Sequence, residues 1–346
     1  MGGAVIEKRP VGKTGVELTR IGFGGAPIGD IRKAPSDTET RKLLDTAWAA
    51  GIRYFDVAPM YGAGLAERRM GDFLRDKPRD DYVLSTKVGR LLVPDRAHAM
   101  ERYDDARAMP FRYEFDFTYD GIMRSFEHSI QRLGLERIDI LYLHDLGRFS
   151  QGTRFDETLT QALDGGGIRA ITELRDSGAV KAIGAGVNEW QILDELMNHG
   201  QWDVFLLANR YTLLDQEVID TFFPRCRKEG VVIVDGAPLH SGILALGSAT
   251  PNPTYDYRPA TDAILAKVRG IEAVCARYGT PLVRAALSFP LGNDLVAAII
   301  PGFSIPSDLE QNLAQYREAI PPELWADLKS EGLLHPDAPV PVTPII

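Results

Sequence analysis

Residues 138–144 read Ile138-Asp139-Ile140-Leu141-Tyr142-Leu143-His144, a nearly unbroken apolar run that stops at an imidazole. A strand covered on both faces carries little polar alternation, whereas a half-exposed strand shows a period of two. Seven more such runs flank it: Ile21–Gly25, Arg53–Asp56 and Tyr82–Ser85 before it, and Val180–Gly184, Val204–Ala208, Val231–Asp235 and Val296–Ile300 after it. Helix-period segments separate them. Ser36-Asp37-Thr38-Glu39 has the form of a capping box, with Leu43, Leu44, Ala47 and Trp48 then on one face. Ile122, Phe126, Ile130 and Leu133 repeat the helical spacing in the third helix and are expected to face the sheet. Eight strands, each followed by a helix, predict an α/β fold of the (β/α)8 TIM-barrel kind, with reactive side chains at the carboxyl ends of the strands. A doubly wound sheet competes with it but lacks its G-x-G-x-x-G turn, since Gly22-Phe23-Gly24-Gly25 ends a strand without opening a helix.

Additions to the barrel are also legible. Val5–Lys8 and Val16–Thr19 flank Gly12-Lys13-Thr14-Gly15 and predict an N-terminal β-hairpin that closes the barrel's bottom. The stretch from Leu91 to Thr118, after the third strand, lacks helical period and is long for a connection, so it is expected to be a loop serving as an active-site lid. The Pro-rich tail Pro336–Ile346 is expected to be irregular, and residues 1–346 to form one domain.

Composition narrows the function. With 45% hydrophobic and 25% charged residues the chain supplies a core and a solvated surface, which excludes disorder. A net charge of −9 disfavours nucleic acid as a partner. No run approaches the roughly 20 apolar residues of a membrane span, and Glu7, Lys8 and Arg9 stand where a signal peptide needs its apolar region. Cys226 and Cys275 are the only cysteines, read as core or helix-face residues in a reducing compartment. The expected location is the cytoplasm and the expected partner a small molecule.

Polar residues that interrupt strand ends carry the chemistry. Asp56 ends Tyr54-Phe55-Asp56 and precedes Ala58-Pro59-Met60-Tyr61-Gly62; Lys87 ends Val83-Leu84-Ser85-Thr86-Lys87; His144 ends Leu141-Tyr142-Leu143-His144. Singly, His144 reads equally well as a structural histidine and Lys87 as a surface lysine. Together an acid, a phenol, an amine and an imidazole converge above strands two to four. A phenol is a poor base at neutral pH, but an adjacent ammonium favours its phenolate and Asp56 holds that ammonium in place. Tyr61 then serves as general acid or base, and His144 orients a substrate oxygen. No metal-ligand spacing, nucleophile elbow or glycosidase carboxylate pair accompanies the set, so it calls for a hydride donor or acceptor.

At these residues the sequence resembles the aldo-keto reductase superfamily, whose TIM barrel carries an Asp, Tyr, Lys, His tetrad and binds an extended nicotinamide cofactor. Asp56-Val57-Ala58-Pro59-Met60-Tyr61-Gly62, Ser85-Thr86-Lys87-Val88-Gly89 and Tyr142-Leu143-His144 resemble its tetrad motifs. Ile183-Gly184-Ala185-Gly186-Val187-Asn188-Glu189, Arg210–Leu214, Ala237–Gly242 and Ile300–Phe303 continue the likeness. It implies cofactor contacts at Gly25, Asp56, Gly186, Asn188, Pro238, Leu239, Ser241, Gly242, Pro301, Gly302, Phe303, Asp308, Gln311 and Asn312. Met60, Arg90, Trp190 and His240 are candidates for lining the substrate pocket, by position after a strand end.

Three departures stand out. Gly186-Val187-Asn188 replaces the usual Ser-Asn pair, Ala208 falls where a Gln is expected, and Gly236 falls where an aromatic commonly stacks on nicotinamide. Gly302 and Asp308 stand where NADP-specific members place a Lys and an Arg. An Asp accepts from a free ribose hydroxyl and repels a phosphate, so NAD is the expected cofactor. Asp308 also reads as an ordinary acid at a helix N-terminus. The motifs resemble the branch of L-fucose, D-threo-aldose and L-galactose 1-dehydrogenases together with pyridoxal 4-dehydrogenase. The implied reaction is NAD-dependent oxidation of an aldose hemiacetal at C1 to the lactone, with pyridoxal as the alternative substrate. Two further alternatives are an NADPH-dependent aldehyde reductase and, in another class, a non-catalytic nicotinamide-binding subunit of a potassium channel.

Overall fold

The computed structural model describes residues 6–29, 35–98 and 109–344. Eight strands, β1 (Phe23–Gly24), β2 (Tyr54–Asp56), β3 (Val83–Val88), β4 (Ile140–His144), β5 (Ala182–Val187), β6 (Val204–Ala208), β7 (Val232–Gly236) and β8 (Val296–Ile300), form one parallel sheet in sequence order. Bridges Ile21↔Ile299 and Gly24↔Gly302 join its two edges and close the barrel. The closed sheet explains the apolar runs. Tyr54, Ile140, Tyr142, Leu206, Val234 and Ile300 point into the barrel, while their neighbours Phe55, Leu141, Phe205, Ile233 and Ile299 point out beneath the helices.

The N-terminal hairpin pairs Lys8–Pro10 with Glu17–Thr19, and Val11, Val16 and Leu18 join the inner cluster. Its pairing starts at Lys8 rather than further back, and Val5 lies outside the described residues. Helix Asp37–Ala49 opens with the expected capping box: the Glu39 N–H donates to Ser36 Oγ (3.3 Å) and the Ser36 N–H to Glu39 Oε2 (2.8 Å). In helix Tyr119–Leu133 the buried stripe is Ile122, Ser125, Ser129 and Leu133, with Phe126 and Ile130 half-buried at its margin. The central Ser125 Oγ donates to the Arg90 carbonyl at 3.2 Å, and the end of the helix packs tightly on its neighbour. A Cβ on Gly71 of helix Leu65–Leu74 would lie 1.8 Å from the Leu133 carbonyl oxygen.

The stretch after β3 departs from the expected loop. Arg90–Pro94 and Phe111–Phe115 pair antiparallel, with Arg90 opposite Phe115 and Pro94 opposite Phe111. Phe111-Arg112-Tyr113-Glu114-Phe115 alternates aromatic and charged residues, a strand period of two that a search for helical period passes over. Residues 99–108, the middle of the expected lid, lie outside the described residues, as do 345–346 of the tail. From 336 to 344 the tail carries no helix or strand. Cys226 and Cys275 are buried free thiols. Among the described residues no helix is long and apolar enough to cross a membrane.

Candidate active site

The last inward-facing residue of each strand defines the upper layer of the barrel interior. Around β2, β3 and β4 that layer is Asp56, Lys87 and His144; around β5, β6 and β7 it is Gly186, Ala208 and Gly236. Of these six residues three bear ionisable side chains and three have almost no side chain. A Cβ on Gly186 would lie 3.5 Å from Lys87 Cε, and one on Gly236 3.0 Å from Leu206 Cδ2 and 3.3 Å from Ala208 Cβ, so side chains larger than these would crowd the residues beneath and beside them.

The structure gathers the four reactive residues. Lys87 Nζ donates to Asp56 Oδ2 at 2.6 Å, to the Val57 carbonyl at 3.0 Å and to Tyr61 Oη at 3.2 Å. Asp56 Oδ1 accepts from Ser85 Oγ at 2.7 Å, which with the adjacent Tyr54 hydroxyl (3.1 Å) fixes the carboxylate. Tyr61 comes from the turn after β2, and its position depends on the next residue. Gly62 has φ +65°, and a Cβ there would sit 2.2 Å from the Gly29 carbonyl oxygen, so only glycine fits. The Tyr61 and His144 rings meet edge to face, 6.0 Å between centroids at 87°.

Electrostatics refine the expected chemistry. Burial pushes the Tyr61 phenol above its ordinary value; Lys87 opposes the shift without reversing it. The expected lowering is thus outweighed by desolvation, and Tyr61 rests as a phenol. Burial raises Asp56 as well, against Lys87 and Ser85. For Lys87 burial acts downward, but Asp56 and Tyr61 outweigh it and hold the ammonium charged. Burial, reinforced by Arg90 and Lys87, holds His144 well below its ordinary value, so the ring is neutral. His144 Nδ1 is buried without a hydrogen-bond partner, and Nε2 lies 3.5 Å from Asp145 Oδ2.

Residues named for the cofactor fall on the same end of the barrel. Gly25 is buried and donates to the Asp56 carbonyl at 2.7 Å; Gly24 donates to the Pro301 carbonyl at 3.1 Å, which joins that loop to Gly302 and Phe303. Gly302 is exposed, and a Cβ there would meet Pro27 Cγ at 2.9 Å. Asp308 lies exposed in the first turn of helix Pro306–Gln315, with Gln311 exposed and Asn312 half-buried further along. Pro238, Leu239, Ser241 and Gly242 form the turn after β7, where Ser241 Oγ accepts from the Tyr257 N–H at 3.1 Å. Asn188 is half-buried, its amide 3.5 Å from the Tyr257 hydroxyl.

The four pocket-lining candidates separate. Met60 is half-buried beside Tyr61. Arg90 is buried, ion-paired to Asp145, and its guanidinium lies 4.5 Å from the Phe115 ring centroid. Trp190 packs against Phe222 at 6.2 Å within the helical layer. His240 is fully buried, stacked on Tyr255 at 4.1 Å and 3.1 Å from Thr212 Oγ1, which makes it a support of the loop rather than a wall.

Two residues escaped the sequence reading. Asn209, one past Ala208, is fully buried with φ +63°; its amide donates to Tyr257 Oη at 3.3 Å while Oδ1 has no partner. An apolar run followed by Asn was the available signal. Asp145, directly after His144, turns back with φ +55° to meet Arg90. The nearly bare backbone of Gly186, Ala208 and Gly236, flanked by the amides of Asn188 and Asn209, suits a flat ring bearing a carboxamide. The buried Oδ1 of Asn209 is an acceptor awaiting a donor.

The profile of the Aldo/keto reductase family matches residues 20–331. The chain is 41% identical over 337 residues to a pyridoxal 4-dehydrogenase of Microbacterium luteolum, covering 95% of this chain and 98% of the relative. It is 38% identical over 324 residues to a D-threo-aldose 1-dehydrogenase of a Pseudomonas species, covering 92% and 96%. The solved structure of the glycerol dehydrogenase AKR11B4 from Gluconobacter oxydans shares the fold with a TM-score of 0.72 at 19% identity, covering 99% of each chain.

Proposed function

The chain belongs to the aldo/keto reductase family, oxidoreductases that bind a nicotinamide cofactor, and on that premise we propose that it oxidises a cyclic hemiacetal to its lactone with NAD. The observation that carries the reading is the divided upper layer: a set of Asp56, Lys87 and His144 with Tyr61 beside them, suited to proton transfer, next to Gly186, Ala208 and Gly236, whose lack of bulk suits a flat ring. Asn188 and Asn209 would hold the carboxamide of that ring. The loops Pro238–Gly242 and Pro301–Phe303, with Asp308, Gln311 and Asn312, would take the rest of the cofactor. Once bound, the nicotinamide supplies the hydride acceptor, or the donor in reverse.

Proton handling belongs to the chain. Oxidation requires Tyr61 as phenolate to accept the substrate hydroxyl proton, and Lys87 at 3.2 Å stabilises the charge that then sits on Oη. Asp56 keeps Lys87 in that position. Neutral His144, whose ring meets that of Tyr61 edge to face, would orient the substrate oxygen. Because burial raises Tyr61, oxidation strengthens as pH rises towards its pKa, and the phenol form suits reduction. NAD is supported by exposed Asp308 where a 2′-phosphate would meet like charge. The two unpaired thiols support a cytoplasmic setting.

Aldoses of the L-fucose and D-threo type are the first substrate reading. Pyridoxal is the second, favoured by the relative at 41% identity and by the internal hemiacetal that pyridoxal forms. The test follows nicotinamide absorbance with NAD and NADP in parallel against L-fucose, D-arabinose, L-galactose and pyridoxal. Turnover of a sugar with NAD is the expected result. Turnover of pyridoxal alone moves the substrate to the second reading, and no turnover with either cofactor overturns the proposal.

A further inference from the structure

Large apolar side chains are rarely left open to water, and two of the open ones touch each other on the face that carries the tetrad. Phe149 is 42% exposed and Tyr257 61% exposed, with ring centroids 6.5 Å apart and planes at 51°. They come from opposite sides of the mouth. Phe149 lies in the short helix Arg148–Gln151, five residues beyond His144, and its N–H donates to Glu189 Oε2 at 3.1 Å. Tyr257 lies at the tip of a hairpin, Thr254–Tyr255 paired with Arg258–Pro259, in the long connection after β7. Its hydroxyl reaches the amides of Asn188 and Asn209, which follow the upper-layer residues Gly186 and Ala208.

The hairpin is built to hold this ring in place. Asp256 and Tyr257 are the two central residues of its turn, with φ +49° and +62°, a conformation that Asn-Gly adopts cheaply and a bulky aromatic does not. Strain of this kind persists where surrounding contacts over-determine it. Here Arg210 donates to Asp256 at 2.8 and 3.0 Å, His240 stacks on Tyr255, and Ser241 Oγ accepts the Tyr257 N–H. A phenol oxygen that accepts from two amides also retains its own proton to donate.

We propose that Phe149 and Tyr257 form an aromatic platform at the mouth on which the ring of a cyclic hemiacetal substrate rests, making them specificity-determining residues. The platform rests on the proposed hemiacetal oxidation. It selects a ring with one apolar face, whether the C–H face of a pyranose or the plane of a pyridine, with the Tyr257 hydroxyl available to a substituent. An acyclic substrate leaves it uncovered.

The experiment compares wild type with F149L, Y257L and Y257F. Binding of L-fucose and pyridoxal to the enzyme–NADH complex is read by saturation-transfer NMR, KM by nicotinamide absorbance, and the NADH Kd by fluorescence. F149L and Y257L are expected to weaken binding of at least one ring ligand by about tenfold, with Y257F, which keeps the ring, recovering most of the loss, and the NADH Kd moving less than about twofold. Which ligand responds identifies the source of the ring. Binding of a ring by wild type without oxidation overturns the hemiacetal reaction and leaves the platform to be judged by the variants. Ring affinity unchanged in both leucine variants, a loss confined to NADH, or no ring ligand bound by wild type overturns the platform.

Discussion

Replacing Lys87 by methionine removes the ammonium that lies 2.6 Å from Asp56 and 3.2 Å from the Tyr61 hydroxyl while keeping most of the buried stem. At that separation and an effective dielectric near 20, the ammonium stabilises a Tyr61 phenolate by about 5 kcal/mol. Part of this returns, because Asp56, already raised by burial, takes up a proton once its partner is gone and no longer repels the phenolate. A net loss of about 3 kcal/mol corresponds to about two pKa units at 1.36 kcal/mol per unit. In the proposed oxidation the phenolate is the base, so kcat/KM should fall about a hundredfold at every pH below the Tyr61 pKa, with the alkaline rise of the profile displaced upward by the same two units or so. The assay is NAD reduction over roughly pH 6 to 10, with NADH binding measured by fluorescence in parallel. Breaking a buried ion pair also costs about 3–5 kcal/mol of stability, so Tm should fall in Lys87→Met and recover in part when Asp56→Asn is added. A profile unmoved by Lys87→Met, with kcat/KM down by less than about fivefold, would refute the assignment of Lys87 as the group that stabilises the phenolate.

Tyr61→Phe keeps the ring and removes the proton carrier, so turnover should be lost while NADH binding stays within about twofold of wild type; retained turnover removes Tyr61 from the reaction. Asp308→Arg puts a cation where the structure has an exposed acid and should raise the NADP-to-NAD preference by about tenfold, read as the ratio of kcat/KM values; an unchanged ratio sinks the ribose assignment. Gly302→Lys is the less clean partner, because its Cβ would press on Pro27 Cγ at 2.9 Å. Gly71→Ala forces a Cβ to within 1.8 Å of the Leu133 carbonyl and should cost about 1–3 kcal/mol, seen as a lower Tm; an unaltered Tm would mean that the two helices part without strain.

Much of the barrel was determined by local sequence. A parallel strand buried on both faces must be apolar nearly throughout, and the eight runs from Ile21–Gly25 to Val296–Ile300 each overlap one of the eight strands, three of which continue past the end of their run. Asp56, Lys87 and His144 stood out because a strand has no packing reason to end in a charge or an imidazole. What belonged to contacts between distant segments was less legible. The pairing of Arg90–Pro94 with Phe111–Phe115 spans a long insertion, and alternation over five residues is a weak local signal. The direction of the Tyr61 shift followed from how fully the site is desolvated, which neither Lys87 nor its spacing from Tyr61 encodes. Asn209 and Tyr257 lie 48 residues apart and meet only because the connection after β7 folds back over the strand ends. The sequence by itself determined which ionisable residues stand at the strand ends; the tertiary structure decided their protonation, their partners and what stands over them, because burial and long-range contact are properties of the closed barrel rather than of any one segment.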